Sequence, residues 1–207
     1  MRREPTVYVV DDDSAVRESL QWLLESVDLH VETYCSAHEF LDAYRPADPG
    51  CLILDVRMPG MSGLELQKAL GDHDWTLPVI VITGHGDVPM AVRAMKSGAV
   101  DFIQKPFNDQ TLLERIHQCL AQDRDWRARL SEQAALRSRV ATLTPRERQV
   151  LEGVVGGRLN KVIADDLGIS NKTVEAHRAS IMEKMVARSL AELVTMCVSC
   201  GISKGNP

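Results

Sequence analysis

No stretch of this 207-residue sequence is long and apolar enough to cross a bilayer. Its densest apolar runs, such as Val79–Thr83 and Cys51–Leu54, cover a few residues, where a membrane helix needs about twenty. The opening residues Met1-Arg2-Arg3-Glu4-Pro5 lead into no apolar segment of signal-peptide length, so a soluble, cytoplasmic protein is expected. A disulfide framework is also missing. The cysteines are Cys35, Cys51, Cys119, Cys197 and Cys200, an odd set with no export signal. Cys197-Val-Ser-Cys200 has no second Cys or His pair nearby, which leaves ordinary thiols rather than a metal or redox site. Repeats and low-complexity segments are absent too. Charge is not one-sided: 26% of residues are charged, with both signs mixed, and 44% are hydrophobic. That composition excludes a disordered polyelectrolyte and suits two domains, each with its own core.

Charge is nevertheless uneven along the chain. Residues 1–122 hold 10 Lys and Arg against 19 Asp and Glu, whereas residues 139–207 hold 10 against 7. The acidic front and mildly basic back suggest different partners, although so small a basic excess does not establish nucleic-acid binding.

The front half alternates short β-branched runs with amphipathic stretches. Thr6–Val10, His30–Tyr34, Cys51–Leu54, Pro78–Thr83 and Val100–Gln104 read as strands. Ser14–Val27, Ala37–Tyr44, Leu64–Leu70 and a segment from Asp87 to about Ser97 read as helices, and a further helix begins near Asp109. Strands alternating with helices imply a parallel sheet covered on both faces, here a doubly wound five-stranded α/β fold of flavodoxin type with strand order 2-1-3-4-5. With no Gly or Pro in residues 121–138, a long helical linker is expected, breaking near Ala141–Thr144. The back half reads as four helices: Pro145–Val155, Asn160–Leu167, Asn171–Met185 and Leu190–Ser199. Thr144-Pro145-Arg146-Glu147 has the form of a capping box. The expected domains are therefore 1–122, a linker over 123–140, and an all-α domain over 141–207.

In such a sheet, chemistry gathers at the carboxyl ends of the strands. Strand 1 ends in Asp11-Asp12-Asp13, strand 3 in Asp55, strand 4 in Thr83 and strand 5 in Lys105. Crowded carboxylates call for a cation, and Mg2+ favours oxygen ligands, often one or two carboxylates with several waters. A carboxylate can attack phosphorus, with a metal and a lysine neutralising the charge. Asp after a strand is also a common helix cap, the expected role of Asp13. Chance is a poor explanation for the rest, because five suitable positions fall at four adjacent strand ends.

Those ends carry recognisable motifs: Val10-Asp11-Asp12, Leu54-Asp55-Val56-Arg57-Met58-Pro59-Gly60, Ile82-Thr83-Gly84 and Asp101-Phe102-Ile103-Gln104-Lys105-Pro106-Phe107. Together they resemble the receiver domain of bacterial two-component response regulators over about residues 5–122. The resemblance implies that Asp55 is the phosphoacceptor. It implies that Asp12, Asp55 and the Arg57 backbone carbonyl bind Mg2+, with Asp11 assisting, and that Lys105 contacts the phosphoryl group across a cis bond to Pro106. Thr83 would shift onto a phosphoryl oxygen and Phe102, the switch aromatic, would follow it, unless Phe102 is simply core. Val92 and Lys96 would lie on the dimer contact. His85 is read as a solvent-exposed loop residue.

Asn160–Leu167, the turn Gly168-Ile169-Ser170 and Asn171–Met185 form a helix-turn-helix pattern. Ile163, Ala164, Leu167, Ile169, Val174 and Ile181 are expected to face inward. Leu143-Thr144-Pro145-Arg146-Glu147-Arg148, Asn160-Lys161, Thr173-Val174, His177 and Lys184 resemble LuxR/NarL/FixJ-type DNA-binding domains over about residues 140–200. The second helix would then enter the major groove, with Glu175, Ala176 and Ala179 toward base edges. Asn160, Lys161, Lys172, Thr173, Arg178, Lys184 and Arg188 would reach phosphates. Glu147 is expected as a cap and ion-pair residue.

The whole resembles a FixJ-like response regulator, a phosphoacceptor rather than an enzyme that at most catalyses its own phosphotransfer and dephosphorylation. The implied partners are a sensor histidine kinase, double-stranded promoter DNA, a second copy of the chain and RNA polymerase, with no membrane. Two alternatives stay open. One is a phosphatase with an Asp nucleophile, disfavoured because Arg57 stands where such enzymes carry a second Asp. The other is a receiver that serves only for protein docking.

Overall fold

The computed structural model describes residues 4–72, 76–84 and 86–199. His85 and Cys200, both given readings above, lie outside the described residues. The chain divides into two compact units, residues 1–127 and 128–207.

In the first unit five strands alternate with helices: β1 (Thr6–Val10), α1 (Ser14–Glu25), β2 (His30–Tyr34), α2 (Ala37–Ala43), β3 (Gly50–Asp55), α3 (Gly63–Asp72), β4 (Val79–Thr83), α4 (Val88–Lys96), β5 (Asp101–Gln104) and α5 from Asp109. The strands are parallel in the order β2-β1-β3-β4-β5. Residues on β1, β3 and β4 are buried at every position because helices cover both faces. Alternate side chains therefore feed two cores. Tyr8, Val10, Leu52, Leu54 and Val81 face one, with Phe40, Leu66 and Ala94. Val7, Val9, Ile53, Ile80 and Ile82 face the other, with Leu24, Leu112 and Ile116.

Helix starts follow local capping chemistry. Asp13 accepts from the Ala15 amide, Ser36 from Glu39 and Asp87 from Met90. Gly98, with φ +91, follows the end of α4.

At the amino-terminal edge of the sheet, α5 clasps the foot of β3. Asp123, 2% exposed, accepts from the Gly50 amide at 3.0 Å and from Arg127 Nε at 2.7 Å. The Arg127 guanidinium also donates to the carbonyls of Pro46 and Asp48, at 3.0 and 2.7 Å.

Helix α5 runs without interruption from Asp109 to Ala141, as the lack of Gly and Pro predicts. Beyond it come α6 (Pro145–Val155), α7 (Asn160–Leu167), α8 (Asn171–Met185) and α9 (Leu190–Ser199). They enclose a core of Leu143, Val150, Leu151, Val154, Ile163, Val174, Ile181, Met185 and Leu193. Ala164 is buried there as expected, while Leu167 and Ile169 pack partly exposed against it.

Candidate functional site

The parallel register brings the ends of β1, β3, β4 and β5 to one edge. Val10 pairs with Leu54, Asp55 with Ile82, and Thr83 with Gln104. Asp11, Asp55, Thr83 and Lys105 follow directly, and the first three are buried. Lys105 Nζ lies 2.6 Å from Asp11 Oδ2 and 2.9 Å from Asp55 Oδ1, so one ammonium serves two carboxylates. The second oxygen of Asp55 accepts from the Arg57 amide at 2.6 Å. The second oxygen of Asp11 accepts from the Asp13 amide at 3.0 Å. Lys105 precedes Pro106 through a cis bond.

Burial pushes the Asp11 carboxyl above its ordinary range and outweighs the opposing hydrogen bonds from Lys105 and the Asp13 amide. For Lys105, burial acts to lower the pKa, but the bonds to Asp11 and Asp55 prevail and hold it above the usual value. At neutral pH the lysine is therefore firmly cationic.

Asp12, expected among the metal ligands, is exposed at the rim. Among the described residues no three Asp, Glu, His or Cys side chains converge as a preformed metal cluster. The donor set still fits Mg2+, which needs hard oxygens and few protein ligands. Asp11 and Asp55 both bond the Lys105 ammonium, and Asp12 follows Asp11 in the chain.

Two neighbours were less legible. Arg17 Nη1, from the first turns of α1, donates to the Asp11 carbonyl at 2.7 Å and holds the turn after β1. Gly63 opens α3 against β3, where a Cβ would collide with the Asp55 carbonyl oxygen. Phe102 is half-buried and packs on the core; a Cβ on Gly86 would stand 2.8 Å from its ring. Val92 and Lys96 are exposed on α4, beside the exposed Val88 and Met95.

In the second unit α7 and α8 flank a tight turn. Gly168 takes φ +63 after α7, and Ser170 caps α8 by accepting from the Thr173 amide at 3.0 Å. Lys161, Lys172, Thr173, Glu175, Ala176, Ala179 and Arg188 are exposed. Arg178 Nη1 donates to Asn160 Oδ1 at 2.6 Å, joining two of the expected phosphate contacts. Lys184 differs more. Its ammonium lies 2.7 and 2.9 Å from the carboxylate of Glu147, which is 4% exposed. Glu147 also accepts from Ser180 Oγ at 2.7 Å and completes the capping box with Thr144. These bonds, Lys184 first, hold its carboxyl down at about 2.

An acidic pocket at the carboxyl edge of a 2-1-3-4-5 sheet, in a chain that continues into a helix-turn-helix, defines a two-component response regulator with a DNA-binding output domain. Residues 7–117 match the response regulator receiver domain, and residues 141–197 match the bacterial regulatory proteins of the luxR family. The transcriptional regulatory protein FixJ of Azorhizobium caulinodans is 51% identical over 95% of this chain and 93% of its own. The response regulator StyR superposes with a TM-score of 0.87 at 49% identity, covering 94% of this chain and 98% of that one. Full-length FixJ from B. japonicum gives a TM-score of 0.59 at 44% identity, covering 97% and 98%. The chain belongs to the FixJ-type response regulators, a family of transcription regulators.

Proposed function

We propose that Asp55 accepts a phosphoryl group from a sensor histidine kinase, that the modified receiver pairs with a second copy, and that two helix-turn-helix units then bind promoter DNA. The observation that carries this reading is the seat of Asp55: a buried carboxylate at a strand end, with a lysine ammonium 2.9 Å from one oxygen and a backbone amide 2.6 Å from the other.

A carboxylate oxygen of Asp55 attacks phosphorus in line. The new O–P bond forms as the bond to the donor imidazole breaks; the departing nitrogen keeps that bond's electron pair and takes a proton from water. Lys105 keeps its charge and neutralises the incoming oxygens. Asp12, Asp55 and the Arg57 carbonyl, with help from Asp11, would hold Mg2+, which would add further neutralisation of the phosphoryl oxygens. The phosphoryl group brings roughly two negative charges and three acceptor oxygens. Thr83 moves to donate to one of them, and Phe102, whose ring already lies against Gly86, follows it inward. The change reaches α4, where Val92 and Lys96 contribute to the dimer surface.

On DNA, α8 enters the major groove. Glu175, Ala176 and Ala179 face base edges, while Asn160, Lys161, Lys172, Thr173, Arg178 and Arg188 approach phosphates. Lys184 braces the helix through Glu147 and reaches a phosphate only at that bond's expense. Pairing raises the affinity of so mildly basic a unit, because linked modules bind at an effective concentration. RNA polymerase is the downstream partner, and the cytoplasm is the compartment.

The test compares the chain with Asp55→Ala in acetyl phosphate and Mg2+, reading dimer fraction by sedimentation and DNA binding at stated salt. Phosphodonor should raise both in the parent and neither in the variant. Equal responses would reduce the receiver to a docking module.

A further inference from the structure

Helix α8 ends in an unusual way. Its C-cap is Val186, at φ 57 and ψ 38. A β-branched side chain adopts this left-handed region only with strain, and at the end of α7 the same job is done by Gly168. Val186 is 61% exposed, so packing does not hold it there. Three of the last four carbonyls of α8 are met individually instead. Glu183 and Met182 accept from the amides of Val186 and Ala187, each at 3.0 Å. The carbonyl of Met185 accepts from Arg139 Nη1 at 3.2 Å.

Arg139 belongs to the last turn of α5. Its own backbone is held firmly: its carbonyl accepts from the Thr142 amide at 3.0 Å and from Thr142 Oγ1 at 2.6 Å. Leu136 is buried and Val140 packs on the core of the second unit, so this turn of α5 is docked on both sides of the arginine. A guanidinium at a helix C-terminus meets both the unsatisfied carbonyl and the negative end of the helix dipole.

We infer that Arg139 is a positioning residue for DNA binding, closing the C-terminus of α8 from the end of the linker helix. The inference rests on the reading of α8 as the helix that enters DNA. The turn that Arg139 holds carries Lys184, and Arg188 follows just beyond it. Without the cap this turn frays in the free protein and must be ordered again on DNA, so affinity falls although no contact in the complex is lost. The last turn of α5 is thus a working part of the DNA-binding unit rather than a spacer.

The experiment uses the full chain and a duplex selected from a random-sequence pool by the phosphorylated parent, well below the unfolding temperature. Arg139→Met should weaken binding by about three- to ten-fold, the range expected for one helix-end charge and its hydrogen bond. The slope of log K against log salt should not change, because the same phosphates are neutralised in the complex. Amide exchange over residues 184–187 should accelerate in the free protein. Adding Val186→Gly should restore most of the lost affinity by relieving the left-handed cap. Unchanged affinity and exchange would overturn the inference. So would a slope shallower by about one, which marks a direct phosphate contact. If Arg139→Met does not fold, Arg139→Gln serves: it removes the cation and shortens the donor's reach, and an affinity equal to the parent's would overturn the idea. Should the parent select no duplex, the DNA reading fails, while the exchange comparison still decides whether Arg139 caps α8.

Discussion

Replacing Glu147 by Ala should destabilise the second unit without touching the first. The backbone amide at this position would stay bonded to Thr144 Oγ1, so part of the cap survives. Lost are the acceptor for the Thr144 amide at 2.7 Å, the acceptor for Ser180 Oγ at 2.7 Å and both bonds to the Lys184 ammonium. Each of these bonds ends on the ionised carboxylate, and a bond to a charged group contributes about 1.5 kcal/mol or more. Lys184 keeps 33% of its side chain exposed and can turn back to water, which trims its share to about 1 kcal/mol. The expected cost is about 4 kcal/mol, or about 20 °C in Tm for a unit of this size. The two units can be followed separately, because the three Trp, three Tyr and three Phe all precede Ala128. Tryptophan fluorescence reports the first unit, and circular dichroism at 222 nm adds the helices of the second. Part of the helical signal should melt early while the fluorescence transition stays in place. The carboxyl is held at about 2, below its ordinary value of 4.5. Its contribution is therefore complete above that ordinary value and fades as pH falls toward 2, so parent and variant should converge over that window. Coincident shifts in both probes, or a helical transition that does not move, would refute the reasoning.

Lys105→Met removes the ammonium shared by Asp11 and Asp55, leaving two buried carboxylates to a metal alone. Calorimetric titration should show tighter Mg2+ binding, by several-fold, while phosphorylation by acetyl phosphate slows by about a hundred-fold; weaker Mg2+ binding would mean that the lysine organises the carboxylates rather than competing for them. Gly63→Ala forces a methyl against the Asp55 carbonyl, where only backbone movement can relieve it. It should cost about 3 kcal/mol in the fluorescence-detected transition and slow phosphorylation as well, and a variant of parental stability would contradict the close approach.

Much of the fold was readable because its signals are local. β-branched runs bounded by caps located the strands of the sheet, and Asp13, Asp87 and Thr144 marked helix starts by the hydrogen bonds they make. The absence of Gly and Pro foretold an unbroken α5. The pocket was readable because parallel strands deliver their ends to one edge. Side-chain pairings across long separations were not. Lys105 meets Asp11 across 94 positions and Asp55 across 50, and no periodicity encodes that one ammonium spans both. Lys184 had the look of a phosphate contact on an outer helix face; its partner Glu147 stands 37 positions away and already had a local role in the capping box. Arg139 gave no signal at all beyond being basic in a last turn.

The clasp at the foot of β3 bears on Asp55 from a distance. Gly50, bonded to Asp123, begins the strand that Asp55 ends, roughly 17 Å further along at about 3.3 Å per residue. Gly50 also pairs with Thr6, the first residue of the strand that leads to Asp11, and a Cβ on it would collide with the Thr6 carbonyl. Sliding β3 by one residue would turn every side chain, Asp55 included, to the opposite face. Asp123 and Arg127 thus act as a datum from which the strand is measured, and the aim of the carboxylate at the top of the sheet is set by where its base is anchored.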